Sequence, residues 1–192
     1  IRFYSSVLPN LYKFVLRQSQ EFATEALNEH QRTLRMRGRP KIVLARTYEE
    51  AMELYNKYQD NILGIVSDAR FPHGGEIDPK AGLTFLTEVR SRNPFVPLIL
   101  ESAEESNREF TQHVNAVFID KNSKKMNIDL REAVAENFGF GDFIFRNPHT
   151  KEEVARVHNL KELQNVVFSI PAESFLYHIS RNHISRWLYS RA

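Results

Sequence analysis

The amino-acid sequence predicts an α/β fold in which a doubly wound parallel sheet is followed by a small C-terminal α+β extension. Between residues 42 and 137, four short apolar runs alternate with segments of helical periodicity. Short apolar strands separated by helices are typical of a parallel sheet that is covered on both faces. Gly139 and Gly141 then mark a change of pattern. We therefore expect a first domain over residues 1–140 and a separate small unit over residues 141–192.

The first domain is predicted to begin with a long helix, because apolar residues recur at helical spacing across residues 3–34. The predicted strands cover residues 42–45, 62–66, 96–100 and 116–119. The predicted helices cover residues 48–58, 83–92, 106–113 and 128–137. Thr47 is placed to cap the first of these helices. Residues 69–81 are rich in Gly, Pro and His and are predicted to form a loop.

The C-terminal unit is predicted to contain two strands and two helices. The strands cover residues 143–146 and 153–158, and Asn-Pro-His-Thr at 147–150 joins them. The helices cover residues 160–167 and 172–190, with Pro171 between them.

Composition narrows the class of protein. The 192 residues are 42% hydrophobic and 26% charged, which suits a globular fold. The absence of cysteine excludes disulfides and thiol catalysis, and it fits a cytoplasmic location. No apolar run approaches the roughly 20 residues that a membrane span needs, so we expect no membrane association. A net charge of +2 does not by itself indicate a nucleic-acid partner. Because the chain opens Ile-Arg-Phe-Tyr, we expect it to be part of a longer protein.

Polar side chains follow three of the predicted strands. Asp68 follows the second strand, Ser102 the third and Lys121 the fourth. The carboxyl ends of parallel strands meet at one edge of the sheet, so we expect the three side chains to lie close together. A carboxylate can attack a phosphoryl group and hold it as an acyl phosphate. A hydroxyl and an ammonium can then stabilise the phosphoryl oxygens.

The chain resembles the receiver domains of bacterial response regulators in four segments. These are Ile-Val-Ser-Asp-Ala-Arg-Phe-Pro at 65–72, Ala-Gly-Leu-Thr-Phe-Leu-Thr-Glu-Val-Arg at 81–90, Val-Pro-Leu-Ile-Leu-Glu-Ser-Ala-Glu at 96–104 and Ala-Val-Phe-Ile-Asp-Lys at 116–121. The resemblance implies a flavodoxin-like receiver fold and a role in two-component signalling. It also implies a histidine kinase or phosphotransfer protein as the phosphoryl donor.

The resemblance also implies a role for each matching residue. Asp68 corresponds to the phosphoacceptor, Ser102 to the switch hydroxyl and Lys121 to the conserved lysine. Phe118 corresponds to the aromatic residue that changes rotamer on phosphorylation. Mg²⁺ would bind Asp68 and the backbone carbonyl of Arg70, together with an acidic pair that ends the family's first strand.

The chain departs from the family pattern at the strand that carries this acidic pair. No strand of that kind precedes residue 42 in the sequence, although in the family it lies centrally, between the strands that match residues 42–45 and 62–66. We expect the missing strand to lie upstream in the parent protein, or residues 143–146 or a second chain to take its place. Mg²⁺ is expected only where the acidic pair exists. In addition, Asn122 replaces the usual proline, and the loop at 73–80 is longer than usual.

Other interpretations remain open. A degenerate receiver would act as a protein-interaction module, in some cases as a homodimer, without phosphoryl transfer. The segments Gly-Asp-Phe-Ile-Phe-Arg and Tyr-His-Ile-Ser-Arg-Asn-His-Ile-Ser-Arg-Trp-Leu resemble proteins that carry a phosphoenolpyruvate synthase or pyruvate phosphate dikinase module. Catalysis by the chain alone is not indicated. A third alternative is a DNA-binding regulator that acts through the last two helices. Interface or packing roles are expected for His178, His183 and Trp187.

Overall fold

The computed structural model of the protein describes residues 7–24 and 40–189 and has a mixed α/β architecture. The chain divides between Val134 and Ala135 into two units. The strands are β1 (Ile65–Asp68), β2 (Phe71–His73), β3 (Glu76–Asp78), β4 (Leu98–Ser102), β5 (Val117–Asp120), β6 (Phe143–Arg146) and β7 (Glu153–Val157). The helices are α1 (Leu8–Thr24), α2 (Tyr48–Tyr58), α3 (Ala81–Arg92), α4 (Asn107–His113), α5 (Met126–Asn137), α6 (Leu160–Val166), α7 (Ala172–Ile179) and α8 (His183–Tyr189). A short 3₁₀ turn, Gln59–Asn61, follows α2.

A parallel sheet of three strands in the order β1-β4-β5 forms the framework of the first unit. The central strand, β4, is buried along its whole length. Asp68 is in register with Glu101, and Ser102 with Asp120, so the three strands end at the same edge. This arrangement confirms the predicted α/β class with a parallel sheet.

Helices α2 and α3 bury their apolar faces against this sheet. One cluster of buried residues joins α2, α3 and the strands: Tyr55, Ala69, Phe85, Leu86, Val89, Val96, Leu98 and Leu100. Helix α2 has the predicted bounds, and the Thr47 hydroxyl caps it by accepting the Glu50 N–H at 3.2 Å. Residues 3–6 and 25–34 of the predicted first helix lie outside the described residues.

The strand predicted at residues 42–45 does not form. These residues are in irregular backbone, and Val43 and Leu44 are 57% and 39% exposed. A strand needs a neighbour that satisfies its backbone hydrogen bonds. Among the described residues no strand lies on the open side of β1, so residues 42–45 have nothing to pair with. Residues 143–146 do not take this place either, because β6 pairs with β7 in the second unit.

The predicted loop at 69–81 contains a small hairpin. Strands β2 and β3 pair antiparallel, with Phe71 opposite Asp78. Gly74 and Gly75 join them at φ values of 64° and 88°, a region that glycine enters without steric cost. The strands have only three residues each, and this is why hydrophobic alternation did not reveal them.

The second unit packs three helices against the β6–β7 hairpin. Its core contains Phe143, Phe145, Val157, Leu163 and Trp187. The helix predicted over 172–190 is instead two helices, α7 and α8. Asn182 lies between them at a φ of 57°, a left-handed conformation that asparagine tolerates and that interrupts a helix.

Among the described residues, no helix has the length and apolar character needed to cross a bilayer.

Candidate functional site

Asp68 and Lys121 meet at the carboxyl edge of the parallel sheet. Asp68 is the last residue of β1, and Lys121 follows the last residue of β5. The Lys121 ammonium donates a hydrogen bond to Asp68 Oδ2. The Arg70 N–H donates to Asp68 Oδ1 at 3.2 Å. The Asp68 side chain is still 44% exposed, so a small phosphodonor can reach the carboxylate.

Ser102 ends the strand between these two residues. Its backbone carbonyl accepts the Lys121 N–H at 2.9 Å, which fixes the start of the segment that carries the ammonium. Its hydroxyl oxygen accepts the Glu104 N–H at 3.0 Å and the Asn107 amide at 2.9 Å. Within the described part of the chain, the Ser102 side chain makes no hydrogen bond to Asp68 or Lys121, and its own O–H has no acceptor. The structure therefore joins two of the three predicted residues directly and places the third on the intervening strand.

Gly82 holds the end of β1 in place. Its N–H donates to the Ala69 carbonyl at 3.0 Å, immediately after Asp68. A Cβ atom at residue 82 would lie 1.9 Å from the Asp68 carbonyl oxygen. Only glycine lets the first turn of α3 approach the Asp68 backbone so closely. The sequence contains this residue in the Ala-Gly-Leu segment, but nothing in its pattern shows the contact.

Glu101 is a second carboxyl at this edge, and the sequence analysis gave it no role. It is the register partner of Asp68 and is only 2% exposed. Its Oε1 atom has no hydrogen-bond partner among the described residues. The pKa of Glu101 is raised to about 7, mainly by burial. The Lys121 charge opposes this rise, and the Asp68 charge adds to it. A glutamate directly after an apolar run is normally read as exposed, which is why its burial was missed.

Phe118 lies half-buried on β5, and the Arg108 guanidinium of α4 stacks over its ring at 4.5 Å. This contact connects the predicted rotamer-changing aromatic residue to the helix that follows Ser102. Arg70 is exposed and takes part in the site through its N–H.

The donor set does not match a complete Mg²⁺ site. Mg²⁺ requires several oxygen ligands in octahedral geometry. Within the described residues, no group of three or more His, Cys, Asp or Glu side chains could hold a metal ion. Of the carboxyls at this edge, Asp68 is paired with Lys121, Glu101 is buried, and Asp120 accepts the Asn122 N–H at 2.8 Å.

His178, His183 and Trp187 all lie in the second unit. Trp187 is 1% exposed, and its Nε1–H donates to the Gly141 carbonyl at 2.9 Å. His178 is 5% exposed, and its Nδ1 lies 3.0 Å from His183 Nδ1. The spacing of five residues along the chain gave no indication of this contact, because the break at Asn182 brings the two rings together.

Comparison with known proteins adds no relative: the chain matches no protein-family model, no curated protein and no solved structure. Any functional assignment therefore depends on the residues and geometry described above.

Proposed function

We propose that the first unit is a receiver-like signalling domain of flavodoxin-like topology, located in the cytoplasm, that accepts a phosphoryl group on Asp68. The observation that supports this proposal is the exposed Asp68 carboxylate at a strand end, paired with the Lys121 ammonium from another strand end. A single Asp at a strand end is usually structural. Here the carboxylate has an accessible face, and its cationic neighbour is placed to balance the charge of an added phosphoryl group.

In the proposed reaction, a carboxylate oxygen of Asp68 attacks the phosphorus atom of the donor. The bond from phosphorus to the leaving group breaks, and the leaving group keeps the electron pair. The product is an acyl phosphate on Asp68. The Lys121 ammonium moves from the carboxylate to a phosphoryl oxygen, where it balances the new negative charge.

Ser102 would report the phosphoryl group to the rest of the unit. Its O–H proton has no acceptor among the described residues, so it can donate to a phosphoryl oxygen. Any movement of this hydroxyl disturbs its bonds to Glu104 and Asn107 at the start of α4. Since Arg108 of α4 covers Phe118, the change would reach the surface formed by these two side chains. An attached or partner module that contacts this surface would read the signal.

The test is covalent labelling with acetyl phosphate, with and without added Mg²⁺, followed by intact mass measurement. We expect the mass of one phosphoryl group to be added to the wild-type chain and not to Asp68→Asn. Asp120→Asn is the matched control, because Asp120 ends β5, which is separated from the strand of Asp68 by β4, and should not affect labelling. Labelling that persists in Asp68→Asn, or that is absent from the wild-type chain in both conditions, would refute the proposal.

A second candidate, a degenerate receiver that acts as an interaction module, is favoured by the incomplete cation site. On this reading, the Asp68–Lys121 pair is a structural contact. Asp68→Asn would then leave partner binding intact, and the wild-type chain would take no phosphoryl group from acetyl phosphate.

A further inference from the structure

Helix α7 of the second unit buries two polar side chains, Ser174 and His178, and also packs Phe175 against the core of this unit. Ser174 is completely buried, and its hydroxyl donates to the Arg146 carbonyl at 2.9 Å. The buried His178 Nε2 accepts the Arg146 N–H at 2.9 Å. The two side chains therefore bind both polar backbone groups of the last residue of β6. This face of the helix acts as a substitute for another strand of the hairpin.

The opposite face of α7 carries apolar side chains. Leu176 is 63% exposed and Ile179 is 47% exposed. Residues three apart in a helix are neighbours on its surface, so these side chains form one strip. Although Phe175 packs against the core, α7 leaves this strip of two large aliphatic side chains exposed, and a contiguous exposed apolar patch marks an interaction site.

Cationic side chains border this strip. The Lys151 ammonium lies 4.7 Å from the centre of the Tyr177 ring, and the Arg181 guanidinium lies 4.2 Å from it. Lys151 donates to the Pro148 carbonyl at 2.6 Å, but in the described parts of the chain neither cation forms an ion pair with a carboxylate. Together these residues line a groove of about 600 Å³, the α7 groove, formed by Pro148, Lys151, Leu176, Tyr177, Ile179 and Arg181.

One carboxylate, that of Glu173, also borders the α7 groove, and it lies 3.4 Å from the Asn147 amide. The groove thus combines an exposed apolar floor with a surplus of positive charge. Its chemical complement is a segment with apolar side chains on one side and carboxylates beside them.

We propose that the α7 groove docks an amphipathic acidic segment of a partner protein, such as a helix that presents leucine or isoleucine flanked by glutamate. The apolar side chains of the partner would cover Leu176 and Ile179. Its carboxylates would bind Lys151 and Arg181, whose positions are already restricted by Tyr177. This role is independent of phosphoryl transfer at Asp68.

The test uses the full chain and a synthetic helical peptide with leucine at every third or fourth position and glutamate elsewhere. Binding is measured by chemical-shift changes in the labelled protein. We expect Leu176→Ser and Arg181→Glu each to weaken binding about 10-fold. Arg181→Glu should also gain affinity for a matched peptide in which lysine replaces every glutamate. Leu160→Ser is the control, because Leu160 is a 51% exposed leucine of the same unit that does not line the groove.

Several results would overturn the proposal. One is the absence of shifts at groove residues with the acidic peptide; another is equal binding of the acidic and basic peptides. A sedimentation shift showing that Leu176→Ser breaks up a dimer would make a second copy of the chain the occupant. Binding of duplex DNA or anionic vesicles that depends on Arg181 but not on Leu176 would show a purely electrostatic surface. Unchanged Trp187 fluorescence in each variant confirms that the second unit is still folded.

Discussion

Moderate acid should destabilise the second unit, because its two histidines are hydrogen-bonded in a way that leaves no site for an added proton. His178 Nε2 accepts the Arg146 N–H, so the proton of the neutral ring must be on Nδ1. That Nδ1–H donates to His183 Nδ1, which places the proton of His183 on Nε2. A further proton would have to enter at one of the two accepting nitrogens and would break one of these bonds.

The size of the effect follows from the two pKa values. The pKa values of His178 and His183 are lowered from 6.5 to about 4. Burial is the main cause, and neighbouring positive charge contributes to both shifts. Between pH 6.5 and about pH 4 the unfolded chain binds more protons than the folded chain, so the free energy of unfolding falls as the pH falls. The free energy of unfolding changes by about 1.4 kcal/mol per pH unit for one histidine, so lowering the pH from 6.5 to 5 reduces it by about 2 kcal/mol. The two rings are joined by a hydrogen bond, so their titrations are coupled and the two contributions need not add. We therefore expect a total loss of stability between about 2 and 4 kcal/mol.

Trp187 provides the assay. It is the single tryptophan of the sequence and is buried in the core of the second unit, so intrinsic fluorescence reports this unit alone. Urea titrations at pH 7, 6 and 5 should show a midpoint that falls steadily with pH. The double variant His178→Gln, His183→Gln should be less stable at pH 7 but should lose most of the pH dependence.

His149→Gln is the matched control, because it removes an exposed histidine of the same unit and should leave the slope unchanged. His158 works in the opposite direction, since its hydrogen bond with Asp142 raises its pKa, but it is 57% exposed and its effect is screened. A free energy of unfolding that is constant from pH 7 to pH 5 would refute the tautomer assignment.

Three further predictions concern the first unit, whose stability is followed by hydrogen exchange of the backbone amides of β4, the buried central strand of that unit. Gly82→Ala should destabilise it by about 3 kcal/mol, because no side-chain movement relieves a contact with the Asp68 carbonyl; unchanged stability would contradict the close approach. The stability of Glu101→Gln relative to the wild-type chain should be about 2–3 kcal/mol greater at pH 8 than at pH 5. The reason is that Glu101 loses its proton near pH 7 in the folded chain but near pH 4.5 in the unfolded chain, so only the wild-type chain loses stability as the pH rises. An equal stability difference at both pH values would contradict this. Arg90→Lys should cost about 2 kcal/mol, because the guanidinium donates to four carbonyls that one ammonium cannot reach together; a neutral result would contradict their importance.

The sequence was informative where apolar periodicity and burial agree. Helix α2 was predicted with its bounds and its Thr47 cap, and β6 with its bounds. The strand-end argument also placed Asp68 and Lys121 together, since it needs only the order of strands in a parallel sheet.

The failures have specific physical causes. Residues 42–45 have the composition of a buried strand, but composition does not state whether a neighbouring strand exists. The predicted helix over 172–190 is interrupted because Asn182 takes a left-handed conformation. The apolar residues on both sides of Asn182 keep helical spacing, so the sequence does not reveal the interruption. The contacts of Gly82 and Glu101 depend on distances between elements, and no local pattern contains these distances.

The two units respond to protons in opposite directions for one reason, which is the burial of a titratable group whose charged form has no partner. In the first unit, buried Glu101 disfavours its charged form, so stability falls as the pH rises from 4.5 towards 7. In the second unit, burial disfavours the charged forms of His178 and His183, so stability falls as the pH drops below 6.5. A probe that averages over both units would show little net dependence because the two slopes oppose each other. Trp187 fluorescence must therefore be read beside a probe of the first unit, and the two midpoints should shift in opposite directions as the pH is lowered.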